Sequence, residues 1–405
     1  MTTQILPEAP WRHRPGFDRL CELLGSGEDA VRLVGGAVRD GLLGLPVSDI
    51  DLATRLTPEA VTQRLEAAGI KVVPTGITHG TVTAVIDHRP VEITTLRCDV
   101  STDGRRATIA YTEDWRADAS RRDFTINALY AEPRSGTVHD YFGGLDDLPS
   151  RRVRFIGDPA QRIAEDHLRI LRYFRFLTRF GTLPPDEQAY SACVAGANSL
   201  MALSRERIAD ELLKLLSLPD PADVVGLMID GGIFKPVLPE IGSIGLTRMR
   251  RLIEREQAAD ATASSPLVRL AALLPPDADC GEQIAARLKL SNKARKRIAA
   301  ALAPAPPHRN VRELAFRLGR ETAIDQILLN GTDDARDVAE LASWSIPEFP
   351  VGGRDIIGLG VEAGPDVARL LALVREDWIA EDFPDRARTL SLAKNQVSAF
   401  LRESQ

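Results

Sequence analysis

Along the first part of the chain, apolar residues fall in short runs separated by glycine, proline and polar turns. Val31–Val34 is a short strand ending in Gly35-Gly36, and the spacing over 37–43 predicts an amphipathic helix stopped by Gly44-Leu-Pro46. Residues 48–54 alternate acidic and apolar side chains, the rhythm of a strand with one polar face, and 81–86 and 90–95 read as two more strands. Residues 98–120 are polar without a clear period and predict a long loop, which is uncommon inside a compact domain and often functional. Beyond about residue 150 the strand signals stop. Residues 160–180, 206–216, 266–274, 281–290 and 367–378 space Leu, Ile, Ala and Arg as helices do, with Pro- or Gly-containing joints near 181–186, 218–221, 303–307 and 346–353. No fixed-period repeat runs through them, which argues against a solenoid. The fold class predicted is α+β, a small mixed-sheet head followed by an all-helical remainder.

Composition narrows the class. With 405 residues, 44% hydrophobic and 27% charged, the chain is long enough for two or more cored domains and does not read as disordered or collagenous. It contains no run of about 20 apolar residues, and residues 1–14 lack the apolar stretch of a signal peptide. Its four cysteines are far apart, so the expectation is a cytoplasmic protein without a disulfide framework or zinc knuckle, and no membrane association. The net charge of −6 rules out an indiscriminate polycation. Residues 151–180 nevertheless hold eight arginines against three acids, a basic stripe that suggests one anionic ligand held at one place.

The candidate chemistry clusters near that head. A strand, a glycine pair (Gly35, Gly36) and a helix N-terminus let backbone N–H groups approach a phosphate closely, and Arg39 on the first turn can reach the same anion. Asp49 and Asp51, two apart on the expected strand, direct their carboxylates the same way. Two such acids call for a cation, and Mg²⁺ is bound through one or two carboxylates plus substrate phosphates. Glu92, on an expected neighbouring strand, is a third acid that can hold metal, take a proton from an attacking hydroxyl, or be an ordinary exposed strand residue.

LVGGAVRDGLLGLPVSDIDLAT (33–54), RRDFTINALY (121–130) and EDHLRILRYFRF (165–176) together resemble the class II tRNA nucleotidyltransferase and poly(A) polymerase family, specifically the bacterial CCA-adding enzymes. The likeness extends to the 98–120 loop, ERIADELLKLL (206–216) and RLKLSNKARKRI (287–298), about three quarters of the chain. It implies a catalytic head over 1–148, a neck with the base-reading helix over 149–218, a body over 219–305 and a tRNA-binding tail over 306–405. It further implies that Asp49 and Asp51 bind metal, that Gly36 and Arg39 bind the triphosphate, and that Arg122, with Asp123 beside it, contacts sugar or phosphate. Glu165, Asp166 and Arg169 match the motif that reads the base, with Arg172 and Arg175 continuing along the same expected helix. The three-residue spacing from Asp166 to Arg175 fits: a carboxylate accepts from an exocyclic amino group while a guanidinium donates to a ring acceptor, a pair that suits cytosine and adenine.

The implied partners are tRNA, CTP and ATP, the implied cofactor Mg²⁺, and no obligate protein partner is inferred. The alternatives are a poly(A) polymerase, a partial enzyme adding only A or only CC, and a non-catalytic RNA-binding protein with a relic head. The 98–120 loop, with Asp103, Glu113, Asp114, Arg105, Arg106 and Arg116, resembles the family's flexible loop and argues against the CC-only type. Lys289, Lys293, Arg295, Lys296 and Arg297 form a basic run suited to RNA phosphates or to an ordinary solvated helix face. His139-Asp140 reads as a strand and turn, since the further His and Asp ligands of an HD phosphohydrolase are missing, and Trp344, Trp378 and Phe383 read as core.

Overall fold

β1 (Val31–Val34) is buried at all four positions and is an interior strand of a mixed sheet. The computed structural model describes residues 4–76, 80–102, 107–259, 265–331 and 335–403, and the chain divides into two compact units, Met1–Ser243 and Ile244–Gln405. In the first unit, α1 (Phe17–Leu23) precedes β1, and α2 (Gly36–Leu42) follows it through the glycine pair. β2 (Asp51–Thr54), α3 (Pro58–Ala67), β3 (Lys71–Gly76), β4 (Thr81–Ile86) and β5 (Arg89–Thr95) come next. The sheet order is β3-β4-β5-β2-β1, extended by β8 (Leu129–Ala131) and β9 (Val138–Asp140). β2 and β5 are its one parallel pair, which sets Asp51 directly beside Glu92.

The described part of the polar stretch expected to be a loop holds regular elements. β6 (Arg97–Thr102) and β7 (Ala107–Tyr111) pair as a separate two-stranded sheet, and α4 (Trp115–Ser120) follows. Its polar character hid the strands because the hairpin does not join the main sheet. The expected lever residues Asp103, Arg105 and Arg106 lie outside the described residues. Of the others, Asp114 caps α4 by accepting from Arg116 N (2.8 Å), Arg116 lies 5.1 Å from the Phe142 ring, and Glu113 O accepts from Arg55 Nε (3.0 Å). Leu96 and Trp115 at the hairpin base are buried in the head core.

After α5 (Gly144–Asp147), the helix expected over 160–180 is two helices, α6 (Pro159–Glu165) and α7 (Arg169–Phe180). Asp166 breaks it with an extended backbone (φ −149°, ψ 107°). Its side chain accepts from Leu168 N (3.1 Å), the local bond by which short polar residues compete with helix continuation. α7 buries seven of its residues on one face, and α8 (Glu187–Gly196) and α9 (Arg205–Leu216) complete the layer. α10 (Ala222–Asp230), with Val225 and Met228 buried, packs on α7 and so belongs to the first unit.

Among the described residues of the second unit, every regular element is a helix. One cluster of its core gathers Trp378, Val374 and Leu370, with Phe383 packed against it, and Trp344 stands beside Phe383 with ring centroids 5.3 Å apart. In the first unit His139 bonds Glu132, and Asp140 accepts from three turn N–H groups, those of Phe142, Gly143 and Leu145, the strand-and-turn arrangement expected.

Candidate active site

The geometry begins at the turn after β1. Gly35 adopts φ +68°, a region that strains any residue with a side chain, and a Cβ there would stand 3.7 Å from Arg122 Nη1. A Cβ on Gly36 would stand 3.7 Å from Arg39 Nη2. The glycine pair therefore lies open to two guanidinium groups, a cradle for an anion. α2 is only seven residues long, and Arg39 and Arg122 add the full positive charges at this turn.

Both arginines are held from behind. Arg39 donates from Nε to Asp40 (2.8 Å) and from Nη1 to Asn127 Oδ1, and its guanidinium stacks 4.0 Å from the Phe180 ring centroid. Burial lowers its pKa and Asp40 opposes that. Arg122 donates from Nη2 to Asp118 (3.1 Å) and from Nε to the Tyr130 hydroxyl (3.0 Å), which itself donates to Asp118 (2.6 Å). Burial opposes charge on both partners, yet Arg122 and Arg121 hold the Asp118 carboxyl down at about 2, and Tyr130 and Asp118 hold Arg122 firmly protonated.

Asp51 opens β2 half-buried, while Asp49 stands on the exposed approach to the strand, not within it, and accepts from Ser48 Oγ (2.9 Å). Burial, then Glu92 and Asp49, push the Asp51 carboxyl up to about 6, with Arg122 pulling the other way. Two hard oxygen donors in mutual repulsion fit a divalent cation. No group of three or more His, Cys, Asp or Glu among the described residues forms a complete metal cage, so such an ion would take its remaining ligands from a bound phosphate chain.

Asp123 is buried and spent on its neighbours. Oδ1 accepts from Phe124 N (2.9 Å) and Asn127 Nδ2 (3.1 Å), and Oδ2 accepts from Arg172 Nε (2.8 Å) and Nη2 (2.5 Å). Burial would raise its pKa, but Arg172 and these bonds hold it at about 2. Its four lone-pair positions are filled, so it braces Arg172 and leaves nothing for a nucleotide. Asn127 bridges the two systems, accepting from Arg39 and donating to Asp123.

The base-reading motif is arranged differently from the expected helical stripe. Because Asp166 lies in the α6–α7 break, it does not share a helix face with Arg169, Arg172 and Arg175. Arg169 pairs with Glu165 (2.6 Å), and also donates to Arg162 O (2.9 Å) and Arg121 O (3.0 Å). Asp166 is held by Arg207, and Arg175 by Glu211 (2.7 Å). Gly35, Gly36, Arg39, Asp49, Asp51, Arg122, Asp123, Asp166, Arg169, Arg172 and Arg175 nevertheless line one cavity of about 870 Å³. Glu92 and Glu165 stand behind it, outside the lining.

Sequence reasoning missed Arg97, Arg121, Asn127, Phe176 and Lys214 in the lining, and Asp118, Tyr130, Arg207 and Glu211 behind it. Asp118 had a readable signal, standing four residues before Arg122 on α4. In the second unit, Arg297 is bound by Asp325 (2.7 and 2.9 Å) and Glu321, and Arg295 by Glu282 (2.7 Å). Lys289, Lys293 and Lys296 are exposed. The basic run is thus partly neutralised and less of a free stripe than its sequence suggests.

Carboxylates at a strand end, a glycine turn and an arginine-lined cavity are the equipment of a nucleotidyltransferase head. Residues 31–154 match the model of the poly A polymerase head domain, and 183–244 that of a probable RNA and SrmB-binding site of polymerase A. The chain is 35% identical over 387 residues to the mitochondrial CCA tRNA nucleotidyltransferase 1 of Mus musculus, covering 92% of this chain and 88% of that protein. It is 32% identical over 399 residues to the CCA-adding enzyme of Enterococcus faecalis, covering 90% and 92%. The crystal structure of the Bacillus stearothermophilus CCA-adding enzyme in complex with CTP superposes with a TM-score of 0.74 at 26% identity, over 96% of this chain and all of that one. The chain belongs to the CCA tRNA nucleotidyltransferases, the class II CCA-adding enzymes.

Proposed function

We propose that this chain completes and repairs tRNA 3′ ends, adding C, C and A from CTP and ATP with release of pyrophosphate. The observation that carries the reading is that Asp49 and Asp51 share one cavity with Arg39, Arg122, Asp166, Arg169, Arg172 and Arg175. The triphosphate lies against Gly35 and Gly36 between Arg39 and Arg122. The tRNA 3′ oxygen attacks the α-phosphorus, the bond to the bridging oxygen breaks, and pyrophosphate leaves toward the arginines. Asp49 and Asp51 would hold Mg²⁺, which would supply charge neutralisation of the triphosphate and a more acidic attacking hydroxyl. The proton of the attacking hydroxyl goes to a carboxylate of this cluster, with Glu92, beside Asp51 in the sheet register, as the third acid. Asp166 accepts from the exocyclic amino group of cytosine or adenine, and Arg169 donates to the adjacent ring nitrogen. Uracil and guanine present acceptor and donor in the opposite order.

The division into head, neck, body and tail, with phosphate contacts from Lys289, Lys293 and Lys296, belongs to the same proposal, as does action in the cytoplasm. No helix of the described residues is long and apolar enough to cross a membrane. The test is to incubate the protein and Mg²⁺ with tRNA lacking its 3′ end, supply CTP and ATP singly and together, and sequence the products. C-C from CTP and C-C-A from the mixture is expected. Long A tracts on unrelated RNA would establish a poly(A) polymerase instead, and no incorporation would establish a relic head.

A further inference from the structure

Among the described residues, Tyr111 at the end of β7 is the one Phe, Tyr or Trp side chain that is exposed, at 44%. Its surroundings set it apart from a stray surface ring. Gly80, at φ +75°, lies against it: a Cβ there would come 3.0 Å from Tyr111 Cε1, so the ring rests on bare backbone. That backbone is fixed, because Gly80 O accepts from Thr95 N (2.9 Å). Across the hairpin Tyr111 pairs with Arg97, so the two side chains stand on one face, and Arg97 lines the nucleotide cavity. Arg97 N in turn donates to Asp118 (3.2 Å), the carboxylate that holds Arg122. The ring is therefore stiffly mounted beside the cavity.

The sheet order tells which side of the cavity this is. The glycine cradle follows β1, Asp51 and Glu92 sit on β2 and β5, and β4 comes next, with Gly80 immediately before its first residue. Thr81 pairs with Thr94, which stands two residues from Glu92 on the same strand face, roughly 7 Å along β5. In an in-line displacement the nucleophile reaches the α-phosphorus from the side opposite the leaving pyrophosphate. With pyrophosphate on the β1 side, the tRNA 3′ oxygen arrives from the β5–β4 side, where Tyr111 stands.

We propose that Tyr111 is the stacking platform for the 3′-terminal base of the tRNA. This rests on the triphosphate lying against Gly35 and Gly36. The end to be extended changes from step to step, first the discriminator base and then cytosine, so a hydrogen-bonding pocket shaped for one would reject the other. A π-face accepts each of them, since stacking on an aromatic ring is sequence-tolerant. Tyr111 thus holds the growing end in place, while the base of the incoming nucleotide is read elsewhere in the cavity.

The test is a cycle between protein and RNA. tRNA ending in an ordinary discriminator nucleotide, and the same tRNA with an abasic sugar at that position, are titrated without nucleotide against wild type, Tyr111→Phe and Tyr111→Leu. Single-C extension of both is then followed. Removing the base should weaken binding to wild type by roughly tenfold, within the range that stacking on an aromatic ring supplies. Tyr111→Leu keeps an apolar side chain on Gly80 without the π-face. It should bind the ordinary end as weakly as wild type binds the abasic one, and should not distinguish the two. Tyr111→Phe should match wild type. In extension the loss in Tyr111→Leu should appear in KM for tRNA, equally for ends at the discriminator, C and C-C, with KM for CTP and the preference over UTP unchanged. Tyr111→Met is carried alongside, so that a folding failure of the Leu variant leaves the cycle intact. Equal sensitivity of wild type and these variants to the abasic end overturns the platform and leaves the proposed function standing. If wild type adds no nucleotide to any of these ends, the reading of the site fails and the platform falls with it.

Discussion

Asp51 is kept half-buried beside Glu92, with its carboxyl pushed up to about 6 by burial and by that neighbour, an arrangement a stable surface strand would not choose. Strained charge of this kind is retained where function needs it, and removing it commonly stabilises the protein at the expense of activity. Asp51→Asn should therefore abolish incorporation of both C and A while raising the metal-free protein's melting temperature at neutral pH. Calorimetry with and without Mg²⁺ checks it, since added metal should stabilise wild type but not the variant. Loss of stability together with loss of activity would mark Asp51 as structural. Arg39 carries a different expectation, because its fork joins Asp40 and Asn127 while its plane lies on Phe180. Arg39→Lys keeps the charge but loses the fork and the stack, so it should raise KM for CTP and ATP alike and cost about 1–2 kcal/mol of stability. Denaturant titration and steady-state kinetics read the two effects separately. A shift in the CTP-to-ATP ratio would instead place Arg39 in base reading.

At the level of elements, Leu96 and Trp115 anchor the β6–β7 hairpin to the head core, and Thr112 N donates to Leu96 O (2.9 Å) to close its base. Arg162 Nη1 donates to Ser120 O (2.9 Å) and Arg169 Nη2 to Arg121 O (3.0 Å), so the end of α4 touches the base-reading arginine directly. Replacing residues 99–109 by a short glycine turn spares Leu96, Trp115 and α4. It should leave C addition nearly intact and slow A addition at least tenfold, measured as single-nucleotide extension of tRNA ending in the discriminator base and in CC. Equal slowing would rule out a switching part for the hairpin. The sequence concealed this element because its two strands pair with each other as a separate sheet and do not join the main one. The head strands were legible for the opposite reason: β1, β4 and β5 each bury a side against the core. The α6–α7 break was hidden because Arg162, Glu165 and Arg169 keep helical spacing across it and pair accordingly. Among the site residues, those carried by compact motifs could be read directly. Arg207 and Glu211 could not, because their partners lie 41 and 36 residues away and only the packing of α7 on α9 brings them together.

Over the whole molecule, the same solution to buried charge recurs in both units, and it fixes how the protein responds to acid. In the first unit Asp123 is 7% exposed, and Arg172 with two further hydrogen-bond donors, Phe124 N and Asn127 Nδ2, outweighs its burial and holds it at about 2. In the second unit Glu313 is 5% exposed and takes Arg317 on one oxygen and Arg309 on the other; burial opposes its charge, and these bonds hold it at about 2. An unfolded carboxyl titrates near 4, so between about pH 4 and pH 2 the unfolded chain binds more protons than the folded one. Stability is then fully present above about pH 4 and is lost as pH falls through the folded values, with each such group contributing up to about 2.6 kcal/mol. Wild type should accordingly lose stability steeply below pH 4. Asp123→Asn should be weaker than wild type by about 3 kcal/mol at pH 6, because it leaves Arg172 without its buried counter-charge. That difference should shrink as the pH is lowered to 2.5, where the wild-type carboxyl is itself becoming protonated. Glu313→Gln should show the same convergence in the second unit. Urea titrations of the three proteins at several pH values between 6 and 2.5 make the comparison. A gap that stayed constant across the range would mean that these carboxyls are not the charged anchors of the two cores, and that the acid sensitivity originates in other groups.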